Sequence, residues 1–179
     1  YPNHNIKVER DSTFELNSIL GIENFTFSNR VFYNFIQDRA VYNSISFISA
    51  RYESVPRASI FGDSLGVHYD FSENISVDHS LTLLRAWDRM SGREFPYKSR
   101  LSHYSNLTVK LTKKVSGTIE ESWVGKRLIN MTDSQSISPM FQTNLKLNWN
   151  LAKNSNLCFS IRNLLNEGDY VSAGYPAEG

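Results

Sequence analysis

The sequence has a single cysteine, Cys158, so it builds neither an intrachain disulfide framework nor a cysteine-based zinc site. It has no run approaching ~18 consecutive apolar residues, which excludes a transmembrane helix. It has almost no net charge, with 19 Lys and Arg against 18 Asp and Glu. That balance gives no electrostatic reason to expect nucleic acid or an anionic membrane surface as a partner. Catalytic signatures are missing too: there is no Gly-x-Ser-x-Gly elbow, Walker loop or dinucleotide fingerprint. No secretory leader opens the chain, so it is expected to have been processed or to have its true start upstream. A mean hydropathy of −0.38 does not exclude a membrane protein. Strands that alternate lipid-facing and lumen-facing residues average to an unremarkable value while still spanning a bilayer.

What the sequence does have is 13% aromatic residues and a strong period-two alternation. From Ile75 to Asp88, the positions Ile75, Val77, His79, Leu81, Leu83, Arg85 and Trp87 alternate with Ser76, Asp78, Ser80, Thr82, Leu84, Ala86 and Asp88. Phe141 to Leu151 is cleaner. Phe141, Thr143, Leu145, Leu147, Trp149 and Leu151 fall on one side, with Gln142, Asn144, Lys146, Asn148 and Asn150 on the other. A helix would need apolar residues three and four apart. Related patterns run from about Thr13 to Leu20, Phe25 to Val41, Arg57 to Phe71, Tyr104 to Lys113, Gly117 to Ile129 and Asn156 to Leu165. The Gly117 segment alternates least. About eight strands result, most near or above the ~9–11 residues that a tilted membrane strand needs.

The connections alternate as well. Gly21–Asn24, Ser72–Asn74, Lys114–Ser116 and Ala152–Ser155 are short; Tyr42–Pro56, Arg89–His103, Asn130–Met140 and Asn166–Gly179 are long. Outer-membrane barrels sort their connections in this way, into tight periplasmic turns and long extracellular loops. The short first connection sends strand one inward, so both ends of the chain are expected outside the cell. A self-contained eight-stranded barrel keeps both ends in the periplasm. The chain is therefore expected to be a fragment with strands missing on either side, because an open strand edge is untenable in lipid.

Four short motifs then carry a resemblance. They are Asn3-His4-Asn5-Ile6-Lys7-Val8-Glu9, Ser64-Leu65-Gly66-Val67-His68, Trp123-Val124-Gly125-Lys126-Arg127, and the ending Phe159-Ser160-Ile161-Arg162-Asn163-Leu164-Leu165-Asn166-Glu167-Gly168-Asp169-Tyr170 with Gly174-Tyr175-Pro176-Ala177-Glu178-Gly179. Their order and spacing resemble the C-terminal part of the barrel of TonB-dependent receptors. His4 and Val8 stand where that family has prolines, and His68 where it often has Glu. The resemblance implies a 22-strand barrel of which residues 1–179 form strands 14 to 21, with the last strand still to follow. It also implies a plug domain and a TonB-engaging segment upstream, outside these residues. The implied function is energy-coupled uptake of a scarce nutrient across the bacterial outer membrane, such as an iron–siderophore, a corrinoid such as vitamin B12, or haem. No resident cofactor or metal is implied.

The remaining chemistry-bearing residues fit a non-enzymatic protein. His4, His68, His79 and His103 lack metal-ligand spacing, and His79 falls on an apolar face. His4 and His103 fall in connections at the expected extracellular end, where either could touch a ligand. Glu120 and Glu121 are adjacent on one strand and so face opposite sides. Asp78 and Asp88 read as lumen-facing. Gly66 suits a bulge or a close backbone approach, and Trp87, Trp149, Tyr33 and Phe71 suit interfacial girdles. Recognition is expected on the long loops, where Arg51, Tyr52, Arg93, Tyr97 and Tyr175 supply cationic and aromatic contacts for an anionic or chelated ligand. The expected fold is an all-β antiparallel transmembrane barrel segment bathed in outer-membrane lipid. Two alternatives stay open: a small autonomous outer-membrane barrel acting as a pore or adhesin, and a soluble β-sandwich binding module.

Overall fold

A computed structural model describes residues 7–46, 49–132, 135–167, 170–172 and 175–176. The main strands are β1 (Arg10–Ile22), β2 (Phe25–Ser46), β3 (Ser49–Ser72), β4 (Ile75–Asp88), β5 (Leu101–Lys110) and β6 (Val115–Val124). Short strands β7 (Arg127–Leu128) and β8 (Ser136–Ile137) precede β9 (Met140–Ala152) and β10 (Ser155–Ile161). Two further short strands, β11 (Tyr170–Ser172) and β12 (Tyr175–Pro176), follow. Among the described residues there is one eight-stranded sheet in the order β1-β2-β3-β4-β5-β6-β9-β10, plus the small β7–β8 and β11–β12 pairs. Each neighbour in the large sheet is antiparallel. It is a meander, and β1 and β10 pair on one side only. A small closed barrel would need those two strands to pair, and a sandwich would need a second sheet across the first. Neither arrangement forms among the described residues.

The pleat carries the alternation into two faces. Rows of paired residues such as Phe27, Val67 and His79, or Ile119, Leu145 and Ile161, lie on one side of the sheet. Rows such as Thr26, His68, Asp78, Asn106, Glu120 and Asn144 lie on the other. The first face exposes Phe14, Leu16, Leu20, Ile22, Phe25, Phe61, Leu83, Leu107, Leu147, Trp149, Leu157 and Phe159. The second is hydrogen-bonded and polar, with Lys146 Nζ donating to Glu120 Oε1 at 2.7 Å. Glu120 and Glu121 do face opposite sides. Leu145, Leu147 and Trp149 share a face opposite Lys146 and Asn148, as the period requires.

Aromatic residues gather at both ends of the apolar face. Tyr33 meets Phe35 and Trp87 edge-on at one end, and Tyr69 meets Phe71 edge-on at 4.7 Å near the other. Gly62, on the polar face, is where the missing Cβ matters most. An added methyl carbon would stand 2.2 Å from Cζ at the tip of the Phe32 ring. At Gly66 the register runs through without a bulge, and an added Cβ would meet only the Ser28 hydroxyl, at 2.4 Å. The close neighbour is a side chain, with the Ser28 backbone oxygen 4.0 Å away, so neither the expected backbone approach nor the bulge is present.

Several expected boundaries move. The segment Tyr42–Pro56 is not a loop: β2 and β3 stay paired through it, with Tyr42 opposite Tyr52 and Ala40 opposite Ser54. Its Ser-rich sequence hid a continuing ladder of β-branched and aromatic residues. The Gly117–Ile129 strand breaks after Val124, and the chain resumes as β7. The last strand ends at Ile161, because Asn163 and Asn166 take left-handed φ angles of 50° and 51° and start a turn. His103 lies within β5 on the apolar face, paired with Leu81, and not in a loop. His4 lies outside the described residues.

Candidate functional site

All the longer excursions emerge at one end of the sheet: the β2–β3 ribbon, the β4–β5 connection, the β6–β9 connection and the chain after β10. The turns after β1, β3, β5 and β9 occupy the other end. The long-loop end is packed. Ile36, Val41, Val55, Ala58 and Ala86 form a buried cluster with Phe95 of the β4–β5 connection and Met131 of the β6–β9 connection, and Ile60 packs against it. Ile36, Ala58 and Ala86 belong to strands, on the face that is polar elsewhere. The two connections thus fold inward, over the polar side of the sheet. Pro56 has no N–H to continue the ladder, and Asp38 opposite it takes a φ of 55°. Beyond that kink Val41 and Val55 join the cluster that Ile36 and Ala58 begin.

Backbone contacts tie the loops to one another. Tyr97 N–H donates to the Leu128 carbonyl at 2.7 Å, and Phe95 N–H to the Ala86 carbonyl at 2.9 Å. Trp87 bridges to Glu94 across the start of the connection. β11 lies against β8, which places the chain after β10 beside the β6–β9 connection. Asp88 organises the first turn. Its carboxylate accepts from Met90 N–H at 2.9 Å, Ser91 N–H at 3.3 Å and the Ser91 hydroxyl at 2.6 Å. Desolvation pushes this carboxyl up, but the three hydrogen bonds and the charge of Arg93 outweigh it and hold the group below its ordinary value. Asp88 is thus a turn cap, and not the solvated lumen carboxylate that its place in the alternation suggests.

The five expected recognition residues all stand at this end, on three separate excursions. Arg51 and Tyr52 lie on β3 near the tip of the ribbon, on a strand and not on a loop, opposite Asn43 and Tyr42. Tyr52 is exposed. Arg93 is exposed, and its carbonyl accepts from Asp88 N–H at 2.9 Å. Tyr97 is half-buried, with a left-handed φ of 59° that turns the chain back towards β5. Tyr175 lies in β12, opposite Ser172. Arg93 and Tyr97 share one connection. Of the closing Gly174–Gly179 run, only Tyr175 and Pro176 are among the described residues.

Alternation alone did not reveal the charge network on the polar face. His68 Nδ1 lies 2.6 Å from Asp78 Oδ1, and Nε2 lies 3.3 Å from Asp70 Oδ2. Two strands away, Glu120 and Lys146 pair at 2.7 Å. The His68 site sits towards the turn end and the Glu120–Lys146 pair near mid-strand, away from the five loop residues. Among the described residues no group of His, Cys, Asp and Glu could hold a metal ion.

The chain resembles a set of solved structures along nearly its whole length. It superposes on the copper transporter OprC with a TM-score of 0.77 at 17% identity, covering 98% of this chain and 30% of that one. The fold is that of a TonB-dependent receptor barrel. A ferric enterobactin receptor, PfeA from Pseudomonas aeruginosa, gives a TM-score of 0.72 at 17% identity, covering 92% of this chain and 27% of that one. The siderophore receptor PirA from Acinetobacter baumannii gives 0.73 at 13% identity, covering 96% and 30%. The chain thus spans under a third of the length of these solved receptor chains. No family model matches the sequence, and no curated protein matches it.

Proposed function

We propose that residues 1–179 are the C-terminal portion of a TonB-dependent receptor barrel, serving uptake of a scarce nutrient across a bacterial outer membrane. The observation that carries this reading is the gathering of every long excursion at one end of a two-faced meander whose fold matches those receptors along nearly its whole length. In this reading the apolar face meets lipid. The polar face lines the lumen, towards a plug domain that couples the receptor to TonB. The loop end opens outside the cell and binds ligand; the protein is not an enzyme.

Among scarce nutrients we favour an iron–siderophore over a corrinoid or haem. The loop end presents Arg51, Tyr52, Arg93, Tyr97 and Tyr175, and cationic and aromatic groups suit the anionic, planar surface of a metal chelate. In the intact receptor, alanine substitution of all five should weaken binding of a ferric siderophore about tenfold or more, since charge-assisted contacts contribute roughly 1.5–3 kcal/mol each. Heat-modifiable migration, the mark of an assembled barrel, should stay as in wild type. Substitutions in the turn Ser72–Asn74 should change neither. Unchanged affinity after all five substitutions refutes the site, and binding of a corrinoid or haem in place of the ferric siderophore refutes the substrate class.

A further inference from the structure

One row of the apolar face carries groups that acyl chains do not satisfy. It runs from His79 through Ser105 and Glu121 to Thr143. His79 Nδ1 and the Ser105 hydroxyl meet at 2.6 Å. Glu121 is exposed and forms no hydrogen bond or ion pair among the described residues. One row nearer the loop end, His103 stacks on Trp123, and its Nδ1 has no hydrogen-bond partner among the described residues. Two other charged groups of this face are provided for inside the chain. Asp63 accepts from Asn29 Nδ2 at 2.6 Å, and Arg85 lies 3.4 Å from Glu94.

Depth makes the difference matter. His79, Ser105 and Glu121 stand four, five and six residues from the turn ends of their strands. A strand tilted by ~45° rises about 2.3 Å per residue along the membrane normal, which puts the three near the middle of a ~25 Å apolar band. An ionisable side chain is costly there, and pairing with another polar group lowers the cost. The gain of one residue per strand also inclines the row, by about 35° for strands ~4.8 Å apart. Seen from Ser105, Glu121 therefore lies upward on the β6 side. His103, two residues up β5, leans upward to the β4 side. Carboxyl and imidazole thus flank Ser105 within about 3 Å of one height.

Two copies in one membrane share an up direction, so a symmetric pair is related by a two-fold axis along the membrane normal. An axis passing beside Ser105 exchanges the two flanks and keeps the height. It sets Glu121 of each copy against His103 of the other, with the small Ser105 side chains where the walls touch. Exposed Leu107 and Ile119 supply apolar contact below. A carboxyl and an imidazole hydrogen-bond whichever of them holds the proton.

We propose that this patch of β4–β6 docks a second copy of the receptor, side by side in the outer membrane, through paired Glu121–His103 contacts. The proposal rests on the outer-membrane reading above. Self-complementarity selects the occupant: the patch holds a carboxyl and an imidazole at mirrored places, so its own copy answers both at once. A separated copy leaves Glu121 among acyl chains.

The test uses the full-length receptor. Sedimentation equilibrium in density-matched detergent should show a monomer–dimer equilibrium. Glu121→Leu and His103→Phe should each weaken dimerisation about tenfold or more. Exchanging the pair, Glu121→His with His103→Glu, should restore it, because the axis rebuilds the same contact. Leu147→Ala, on the same face over β9, should leave the equilibrium as in wild type. Heat-modifiable migration checks that each variant is an assembled barrel. A monomer at every concentration, or a dimer that Glu121→Leu leaves intact, overturns the proposal. Equal weakening by Leu147→Ala overturns the choice of surface. Outer-membrane fractionation of the wild type tests the underlying reading separately, and a receptor found there that stays monomeric fails only the pairing.

Discussion

Two stretches of the same apolar face are built differently. Over the β9–β10 ladder it is unbroken: Leu145, Leu147 and Trp149 stand opposite Ile161, Phe159 and Leu157. Over β4, β5 and β6 it is interrupted. His79 lies opposite Ser105 and Ser105 opposite Glu121, with His103 and Trp123 paired one row along. His79 Nδ1 lies 2.6 Å from the Ser105 hydroxyl, and the His103 ring stacks on Trp123 at 5.8 Å. His103 Nδ1 and, two strands on in β9, Thr143 Oγ1 are buried without a hydrogen-bond partner among the described residues. If, as proposed, this face meets lipid, it tolerates polar groups that pair sideways with each other. The cost of those left over shows where such a face is not optimal. Lys146 lies beside Leu147 in sequence, yet the pleat turns it to the other side and onto Glu120.

The largest effect should come from putting a charge into the unbroken stretch. Leu147 stands five residues from the end of β9 at Ala152, about 12 Å up a tilted strand and so near mid-bilayer. Leu147→Arg should destabilise the receptor by roughly 2–4 kcal/mol, while Asn148→Arg, one residue away on the lumen face, should cost far less. Denaturant unfolding in lipid vesicles measures both. Similar losses at the two positions would mean that the faces are misassigned.

Why the faces were readable from sequence, and the loop end was not, follows from the physics of each. In the proposed reading, Ile75–Asp88 and Phe141–Leu151 alternate because one side meets lipid and the other does not. Such a periodic constraint writes itself into consecutive residues. The β4 bounds agree to the residue, and the β9 bounds to one at each end. In the proposed reading the β2–β3 ribbon beyond Asp38 stands clear of the membrane, and its pairing comes from the partner strand, which alternation within one strand does not report. The cluster of Ile36, Val41, Val55, Ala58, Ala86, Phe95 and Met131 joins three excursions far apart in sequence. Its one local signal was apolar Ile36 and Ala86 on a face that is otherwise polar. Ligand-site candidates chosen as loop cations and aromatics all fall at the loop end of the sheet. Their dispersal over three excursions is a tertiary fact.

The interrupted stretch offers a smaller effect of opposite sign. Glu121 faces outward six residues above Val115, about 14 Å up β6. A lipid-facing carboxyl costs less than a cation at that depth, but it still costs. Glu121→Leu should therefore stabilise the receptor by about 1–2 kcal/mol, making β6 resemble β9. Glu120→Leu should destabilise, because it leaves Lys146 without its partner on the polar face. If vesicle unfolding shows Glu121→Leu to be destabilising, something other than lipid covers that part of the wall.

Asp88 closes the series with the same chemistry moved beyond the band, where a carboxylate should help. It stands one residue past Trp87 and accepts three hydrogen bonds from Met90 and Ser91. Asp88→Asn keeps the shape and one acceptor oxygen but removes the charge, so it should cost about 1 kcal/mol or less, read as loosening of the β4–β5 connection. The pH dependence has a definite sign. Desolvation opposes the charged form, but the Ser91 and Met90 hydrogen bonds with the Arg93 charge prevail, and the folded group titrates below the ordinary aspartate value of 3.8. The unfolded chain therefore binds the proton first as pH falls. The stabilisation is complete above 3.8 and declines below it, until the folded carboxyl is protonated as well. Hydrogen exchange at the Met90 and Ser91 amides, compared between neutral pH and pH below that value, should show protection falling with acid in wild type and staying flat in Asp88→Asn. Equal acid sensitivity in both would assign the titration to another group. Glu121 would still be the costly carboxylate, but Asp88 would no longer be the favourable one.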